Sequence, residues 1–439
     1  MVLLVGTGIF LTIRLRGIQW RGFGHAVRVL RGQFDNPNDP GEISHFQALS
    51  TALSATIGTG NIVGVAAAIL MGGPGAVFWM WVTALVGMAT KFSSCTLAVH
   101  FRKIDSSGET HGGPMHYIEQ GMGPKFRWLA ILFALFTVIA SFGIGNMFQV
   151  NNIVSATHGL LFNNNPDVIQ PLSMMVGGVV AGLVALVILG GIKRIAVVAS
   201  RLVPFMCLLY IIGGVVILIK NYHLLFEGLQ LIFTQAFRAP EAVAGGLFGG
   251  VIRSGVARGL FSNEAGLGSA AMAHGAARTK EPVREGLVAM LGPFIDTIIV
   301  CSITALVIIS TRTYETVFVK GQLTSRAFEA GLPGSGWVVS VGIILFAFST
   351  LIAWSYYGDR AADYLFGAKG VKPYRLIYIF CILFGAVISL DDIIAFCDAM
   401  NGLMAIPNLI ALIALLPVVA RLTKDYMNRF KGGLMDIDE

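Results

Sequence analysis

The chain has 439 residues, of which 55% are hydrophobic and 13% charged, against ~25% charged in an ordinary soluble domain. That composition excludes a disordered segment, a nucleic-acid module and a typical soluble enzyme. The formal net charge of +7 would suit an anionic partner. The basic residues, however, fall in short segments between apolar runs, where Lys and Arg set the orientation of membrane spans.

Taken in chain order, the apolar runs predict about eleven transmembrane helices, at 1–13, 43–70, 74–101, 126–151, 171–190, 195–220, 241–275, 284–311, 337–365, 374–390 and 395–420. The opening run of thirteen residues is short for a bilayer span, which needs ~20. Residues 14–42 are basic and end in a run of turn formers, Asn36 to Gly41. Residues 224–238 have helical apolar spacing with scattered polar positions, the pattern of a helix lying along the membrane surface. The chain thus divides into an opening helix with a basic segment (1–42), five helices (43–220), an interfacial helix (221–240), five more helices (241–420) and a tail (421–439). The five cysteines form no CxxC and lie in apolar runs, so they read as small buried apolar residues.

Placing the N-terminus outside puts 23 Lys and Arg residues in or beside the inner loops and tail. Only five fall outside: Lys220, Arg238, Arg312, Lys320 and Arg326. This bias favours a multi-pass protein of the cytoplasmic membrane with its N-terminus outside and its C-terminus in the cytoplasm.

Two spans look broken. One contains Ile57, Gly58, Thr59, Gly60 and Asn61; the other contains Gly255, Gly259, Ser262, Asn263, Glu264, Gly266 and Gly268. Glycine can interrupt a helix, although close packing between helices also selects small residues. Position favours interruption. Without the opening run, the broken spans are the first and sixth of ten, so each begins a block of five. An odd number of spans per block inverts the second copy. The segments are weakly alike, GNIVGVAA at 60–67 beside EAGLGSAA at 264–271. Gly-interrupted spans in matching positions of two halves point to a transporter binding site.

Three stretches carry a resemblance: GGPGAVFWMWVTALVG at 72–87, GGPMHYI at 112–118 and GLFSNEAGLG at 259–268. They resemble the signature blocks of the alanine/glycine:cation symporters, also called sodium:alanine symporters. The likeness extends over nearly the whole chain. It implies import of alanine, glycine or close analogues with sodium, or in some members protons, and the five-plus-five inverted-repeat fold of the leucine-transporter type.

The chemistry of the breaks agrees. A zwitterion at mid-membrane needs its carboxylate and ammonium satisfied. Free backbone N–H groups at Thr59, Gly60 and Asn61 suit the carboxylate, and freed carbonyls suit an ammonium or a sodium ion. The fold resemblance implies further roles. Asn61 and Ser262 would ligate one sodium, while Ser349 and Thr350 with the carbonyls of Ser54 and Ile57 would hold another. Phe261 would lid the substrate, and Trp354, one turn beyond Thr350, would limit its side chain. Asn61 and Ser262 could instead be caps, Ser349 and Thr350 back-bonded hydroxyls, and Trp354 a packing residue. Buried ionisable groups invite functional readings. Glu264 could bind a cation, accept a proton or brace the unwound backbone. Asp296 could ligate a cation or pair with Lys91 or a hydroxyl. Arg258 and Asp398 could form a gate. Asn146, Gln149, Asn151 and Asn152 read as vestibule lining.

The expected function is sodium-coupled import of a small neutral amino acid, with no enzymatic activity and no cofactor beyond the coupling ion. Proton coupling is the alternative, with an ion channel or a membrane scaffold further behind. A channel would need a continuous polar filter, and no HExxH or GxSxG is present.

Overall fold

The computed structural model describes residues 1–106, 108–162, 168–237, 247–388 and 390–435. Arg238 and the start of the seventh expected span, 241–246, lie outside the described residues. Apolar, glycine-punctuated runs form helices because a chain surrounded by lipid must satisfy its backbone internally. Among the described residues, seven helices are long and apolar enough to cross a bilayer: Ala76–His100, Pro124–Phe162, Gln170–Ile188, Gly191–Lys220, Pro282–Ser310, Gly336–Phe366 and Phe396–Ala414. The pair His45–Thr56 and Thr59–Gly72, bent by 62° at the first break, makes an eighth. The remaining expected spans correspond to shorter, interrupted or more charged helices. These are Val2–Arg14, Leu247–Asn263 followed by Ala270–Gly275, and Ala368–Gly385.

Burial sorts the helices into centre and rim. The most apolar window of Ala76–His100 is 83% buried, against 39% for Gly191–Lys220, which turns Phe205, Leu208, Ile212 and Ile219 outward. Glycine sets the central packing. A Cβ at Gly255 would stand 2.2 Å from the Ala76 carbonyl oxygen, and one at Gly259 2.3 Å from Thr83 Oγ1. These two glycines therefore serve close packing against Ala76–His100, the small-residue role, and not the break itself.

Other elements depart from the sequence expectation. The last span ends at Ala414, and Leu416–Lys431 is a separate amphipathic helix with Leu416, Val419, Thr423, Tyr426 and Met427 buried. Lys320–Gly331, too polar to suggest a span, is a helix docked over the first break, where Thr324 Oγ1 donates to the Ile62 carbonyl at 3.1 Å. The surface helix forms as Tyr222–Gln235, exposing Tyr222, Phe226 and Phe233. It is anchored where Trp79 Nε1 donates to the Ala236 carbonyl at 3.0 Å.

The outer ends of the two half-helices His45–Thr56 and Ala270–Gly275 are tied together, away from the breaks. Ile43 bridges Ala277, and Arg278 N–H donates to the Ile43 carbonyl at 2.7 Å. Arg102 donates to the carbonyls of Pro40, Gly275, Ala277 and Thr279. Beneath this clamp the wholly buried Glu285 accepts from Nδ1 of His45 and, at 2.5 Å, from Nδ1 of His274.

Removing that carboxylate strands two buried imidazoles. Glu285→Ala should cost about 2–4 kcal/mol of stability. Glu281→Ala, which loses a partly exposed pair with Arg429, should cost under about 1 kcal/mol. Thermal unfolding of the two purified variants in detergent checks this, and equal shifts would contradict the tie.

Candidate substrate and cation site

The helix His45–Thr56 starts at a capping box, Ser44 with Gln47, and stops where Ile57 takes ψ 86° and Gly58 is extended. One 3₁₀ turn, Thr59–Asn61, precedes the next helix, Val63–Gly72. Glycine is required at 58 because a Cβ there would lie 2.8 Å from Thr350 Oγ1. The backbone N–H groups of Thr59 and Gly60 donate to no protein group among the described residues. Two such donors at the start of a half-helix are a chemistry suited to an anionic group.

The second break runs between Asn263 and Ala270. Glu264, Gly266 and Gly268 take left-handed φ values of 54°, 95° and 85°, comfortable for glycine and strained for glutamate. Side chains hold this loop. The Glu264 carboxylate accepts from Ser269 Oγ at 2.5 Å and from Trp354 Nε1 at 3.0 Å. Asn263 Oδ1 accepts from Ala265 N–H at 3.0 Å, and Asn408 Nδ2 donates to the Gly266 carbonyl at 2.8 Å. Of the three roles open to Glu264, bracing the unwound backbone is the one its bonds express.

Asp296 joins the two breaks. It sits in the wide π-helical turn Phe294–Cys301, the kind of helix distortion frequent at functional sites. Its carboxylate accepts from Asn61 Nδ2 at 2.7 Å, Ser262 Oγ at 2.8 Å and Thr297 Oγ1 at 2.7 Å. Asn61 turns its Oδ1 back to Gly58 N–H at 3.0 Å, so it caps its own turn while reaching Asp296. Lys91 is 3% exposed and lies in the field of Glu264 and Asp296. Among the described residues no carboxylate approaches it within ion-pair distance. Ser262 Oγ, Thr297 Oγ1 and the Asp296 carboxylate thus form an oxygen cluster of the kind hard cations select, with the Asn61 amide nitrogen turned towards it.

A second oxygen cluster lies one turn from the first break. The Ser54 carbonyl accepts from Ser349 Oγ at 3.2 Å and Thr350 Oγ1 at 3.0 Å. Both hydroxyls also bond back to the Phe346 carbonyl, at 2.8 and 2.9 Å. Each hydroxyl thus bonds back within its own helix and also faces the half-helix opposite. Ile57 ends that half-helix, and no backbone N–H among the described residues donates to its carbonyl.

A cavity of about 800 Å³ opens above the breaks, lined in part by Ser254, Phe318, Arg258 and Asp398. Its floor is Phe148 against Phe261, edge to face with centroids 5.5 Å apart. Arg258 lies 5.1 Å over the Phe261 ring and donates to Asp398 Oδ2 at 2.7 Å. Thr59, Gly60, Asn61 and Ser262 sit beneath that floor, and a Cβ at Gly60 would stand 3.3 Å from the Phe261 ring. Trp354, one turn beyond Thr350, is wholly buried. Gly145 packs against it, and its indole N–H is bonded to Glu264.

Sequence reasoning placed Gln149 in the vestibule. It is buried, accepting from Thr59 Oγ1 at 3.2 Å and donating to the Ile144 carbonyl at 2.9 Å. Asn146 and Asn151 likewise bond to carbonyls of Ala368–Gly385 and its end, while Asn152 bonds back to Phe148. The signal was present as four amides within one apolar span, but not the faces they occupy. Thr304, which donates to the Asn61 carbonyl at 2.9 Å, carried no signal at all.

With this geometry in place, the comparisons are direct. Residues 1–438 match the profile of the sodium:alanine symporter family. The chain is 45% identical over 432 residues to the sodium/alanine symporter AgcS of Methanococcus maripaludis, covering 97% of this chain and 93% of that protein. It is 37% identical over 436 residues to the probable sodium/glutamine symporter GlnT of Bacillus subtilis, with 98% and 88% covered. Among solved structures, MhsT in complex with L-phenylalanine superposes with a TM-score of 0.60 at 13% identity, over 87% of this chain and 88% of that one. The fold is therefore the leucine-transporter type, the protein is a transporter and not an enzyme, and the chain belongs to the sodium:alanine symporter family.

Proposed function

We propose that this protein imports a small neutral amino acid, alanine or glycine, together with sodium across the cytoplasmic membrane. The observation that carries this reading is the convergence of the two breaks on Asp296, directly beside the free N–H groups of Thr59 and Gly60. The substrate carboxylate binds those N–H groups. One sodium takes Asn61 and Ser262 with Asp296, and a second takes Ser349 and Thr350 with the carbonyls of Ser54 and Ile57. Phe261 closes the substrate from the vestibule, with the Arg258–Asp398 pair above it. Residues 43–220 and 241–414 are the two inverted repeats, 1–42 and the C-terminal amphipathic helix Leu416–Lys431 flank them, and Tyr222–Gln235 lies along the surface. The N-terminus is outside and the C-terminus cytoplasmic, so the vestibule faces outward. The relative named for sodium and alanine supports the substrate and the ion. The relative named for glutamine makes side-chain size the variable to test.

Uptake of labelled alanine into proteoliposomes, with sodium and pH gradients imposed separately, tests the whole reading. A sodium gradient alone should drive accumulation, and a pH gradient alone should not.

Thr350→Val keeps the shape and removes one hydroxyl ligand. A lost ligand worth ~1–2 kcal/mol should raise the sodium concentration for half-maximal uptake about tenfold. Unchanged sodium dependence would remove Thr350 from the cation site.

Trp354→Ala should let leucine compete with alanine, whereas Trp354→Phe should not. Each extra methylene in an apolar pocket is worth only ~1–3 kcal/mol, so the expected change is a shifted preference. Competition assays read it, and continued exclusion of leucine by a transporting Trp354→Ala variant would dismiss the size limit.

For topology, cysteines introduced at the exposed Lys220 and Lys369 should differ. The first should react with an impermeant maleimide added outside intact cells, and the second only after permeabilisation. The reverse pattern would invert the orientation.

A further inference from the structure

A second cavity, which shares no lining residue with the vestibule, lies between the end of the first helix and the C-terminal amphipathic helix. Its volume is about 370 Å³, and its lining includes Arg14, Arg16, Arg21, Lys424 and Lys431 but no carboxylate. Local backbone chemistry builds it. The helix Val2–Arg14 ends in two successive left-handed residues, Arg16 at φ 56° and Gly17 at φ 65°, before the short helix Ile18–Arg21. That reversal puts three arginines of one short stretch around a single hollow. On the facing wall Lys424 and Lys431 are seven residues apart in Leu416–Lys431, two turns along one face. The base is apolar, formed by Leu15, Ile18 and Met427, each less than a tenth exposed.

None of the five cations makes an ion pair among the described residues. The nearby carboxylates are engaged elsewhere, Asp425 and Glu281 both with Arg429. Five like charges around one hollow repel one another and create a strong positive potential. An anion bound there would relieve that repulsion.

The surroundings identify the anion. On the helix leading to the hollow, Ile9 and Ile13 are 45% and 68% exposed on one face, and Trp20 beside it is 62% exposed. An apolar ridge running down to a basic pocket, flanked by an exposed tryptophan, is the profile of a membrane interface. Basic pockets beside membrane helices recognise anionic headgroups. We infer that this hollow binds the headgroup phosphate of an anionic phospholipid, such as phosphatidylglycerol, whose acyl chains lie along the exposed face of Val2–Arg14. The site is separate from the substrate path and pins the C-terminal amphipathic helix to the first helix.

The test is native mass spectrometry of the full chain extracted from vesicles of phosphatidylcholine containing phosphatidylglycerol. One phosphatidylglycerol adduct should survive activation that strips phosphatidylcholine. The variant Arg14→Gln/Arg16→Gln/Lys424→Gln should retain it at least about tenfold more weakly, given that each basic residue near a membrane surface adds a factor of about five in affinity. Lys369→Gln/Lys372→Gln, which removes charge elsewhere, should retain it fully. Should the triple variant not fold, Lys424→Gln alone on its exposed face should show about a fivefold loss. Equal retention in the pocket and control variants would overturn the site. Displacement by millimolar inorganic phosphate would overturn the lipid as its ligand. Retention appearing only after deletion of 436–439, which carries Asp436, Asp438 and Glu439, would overturn it in favour of the chain's own carboxylates.

Discussion

Backbone that leaves a helix inside a bilayer has no water to bond to, and each unmet group costs several kcal/mol. The fold turns on how two such stretches are satisfied. Side chains at the breaks meet several of these groups, Asn61 at Gly58, Asn263 at Ala265, Asn408 at Gly266 and Thr304 at Asn61. Asp296 then ties the two stretches together, because its single carboxylate receives Asn61 from the first break and Ser262 from beside the second. Lys91 and the braced Glu264 stand within reach of its field, so three ionisable side chains are buried together beside the breaks.

The glycines divide the labour around that centre. Gly255 and Gly259 bring the second broken helix against Ala76–His100 so closely that a methyl group would collide with its backbone or with Thr83. Gly266 and Gly268 supply left-handed turns instead. Gly58 admits Thr350 to the first break, and Gly60 lies against the ring of Phe261. Close approach and free backbone thus come from the same residue type at positions a few residues apart. The composition of the breaks alone could not separate these two uses.

The two ends of the path are closed by different physics. At the vestibule the contacts among the described residues are a phenylalanine edge and an ion pair whose Asp398 is 45% exposed. A pair so wetted is worth about 0–1 kcal/mol. At the opposite end the half-helices are joined by a buried Glu285 between two histidines and by Arg102 bonded to four carbonyls. Separating those contacts would expose groups that water must then solvate all at once. The two half-helices are therefore built to travel together.

Much was legible from the sequence. Lipid imposes a strict rule, that a spanning segment must be long, apolar and helical, so run length and charge placement revealed the spans, the two breaks and the pairing of their positions. The resemblance to the leucine-transporter type singled out Asn61, Ser262, Ser349 and Thr350, hydroxyls and an amide in otherwise apolar helices, where such groups are costly unless they are bonded. Tertiary structure decided which groups meet. Asp296 could have paired with Lys91 or with hydroxyls, and only the packing of Pro282–Ser310 between the breaks gave it Asn61, Ser262 and Thr297. Gln149 moved from a supposed vestibule to a bond with Thr59, because a π-helical turn at Gly143–Met147 rotates the following residues. The polar helix Lys320–Gly331 showed no apolar run, since its stability comes from docking over Ile62 and not from lipid. Periodicity and composition report what a segment avoids. Which partner it finds depends on contacts between residues hundreds of positions apart, and only the folded chain contains those.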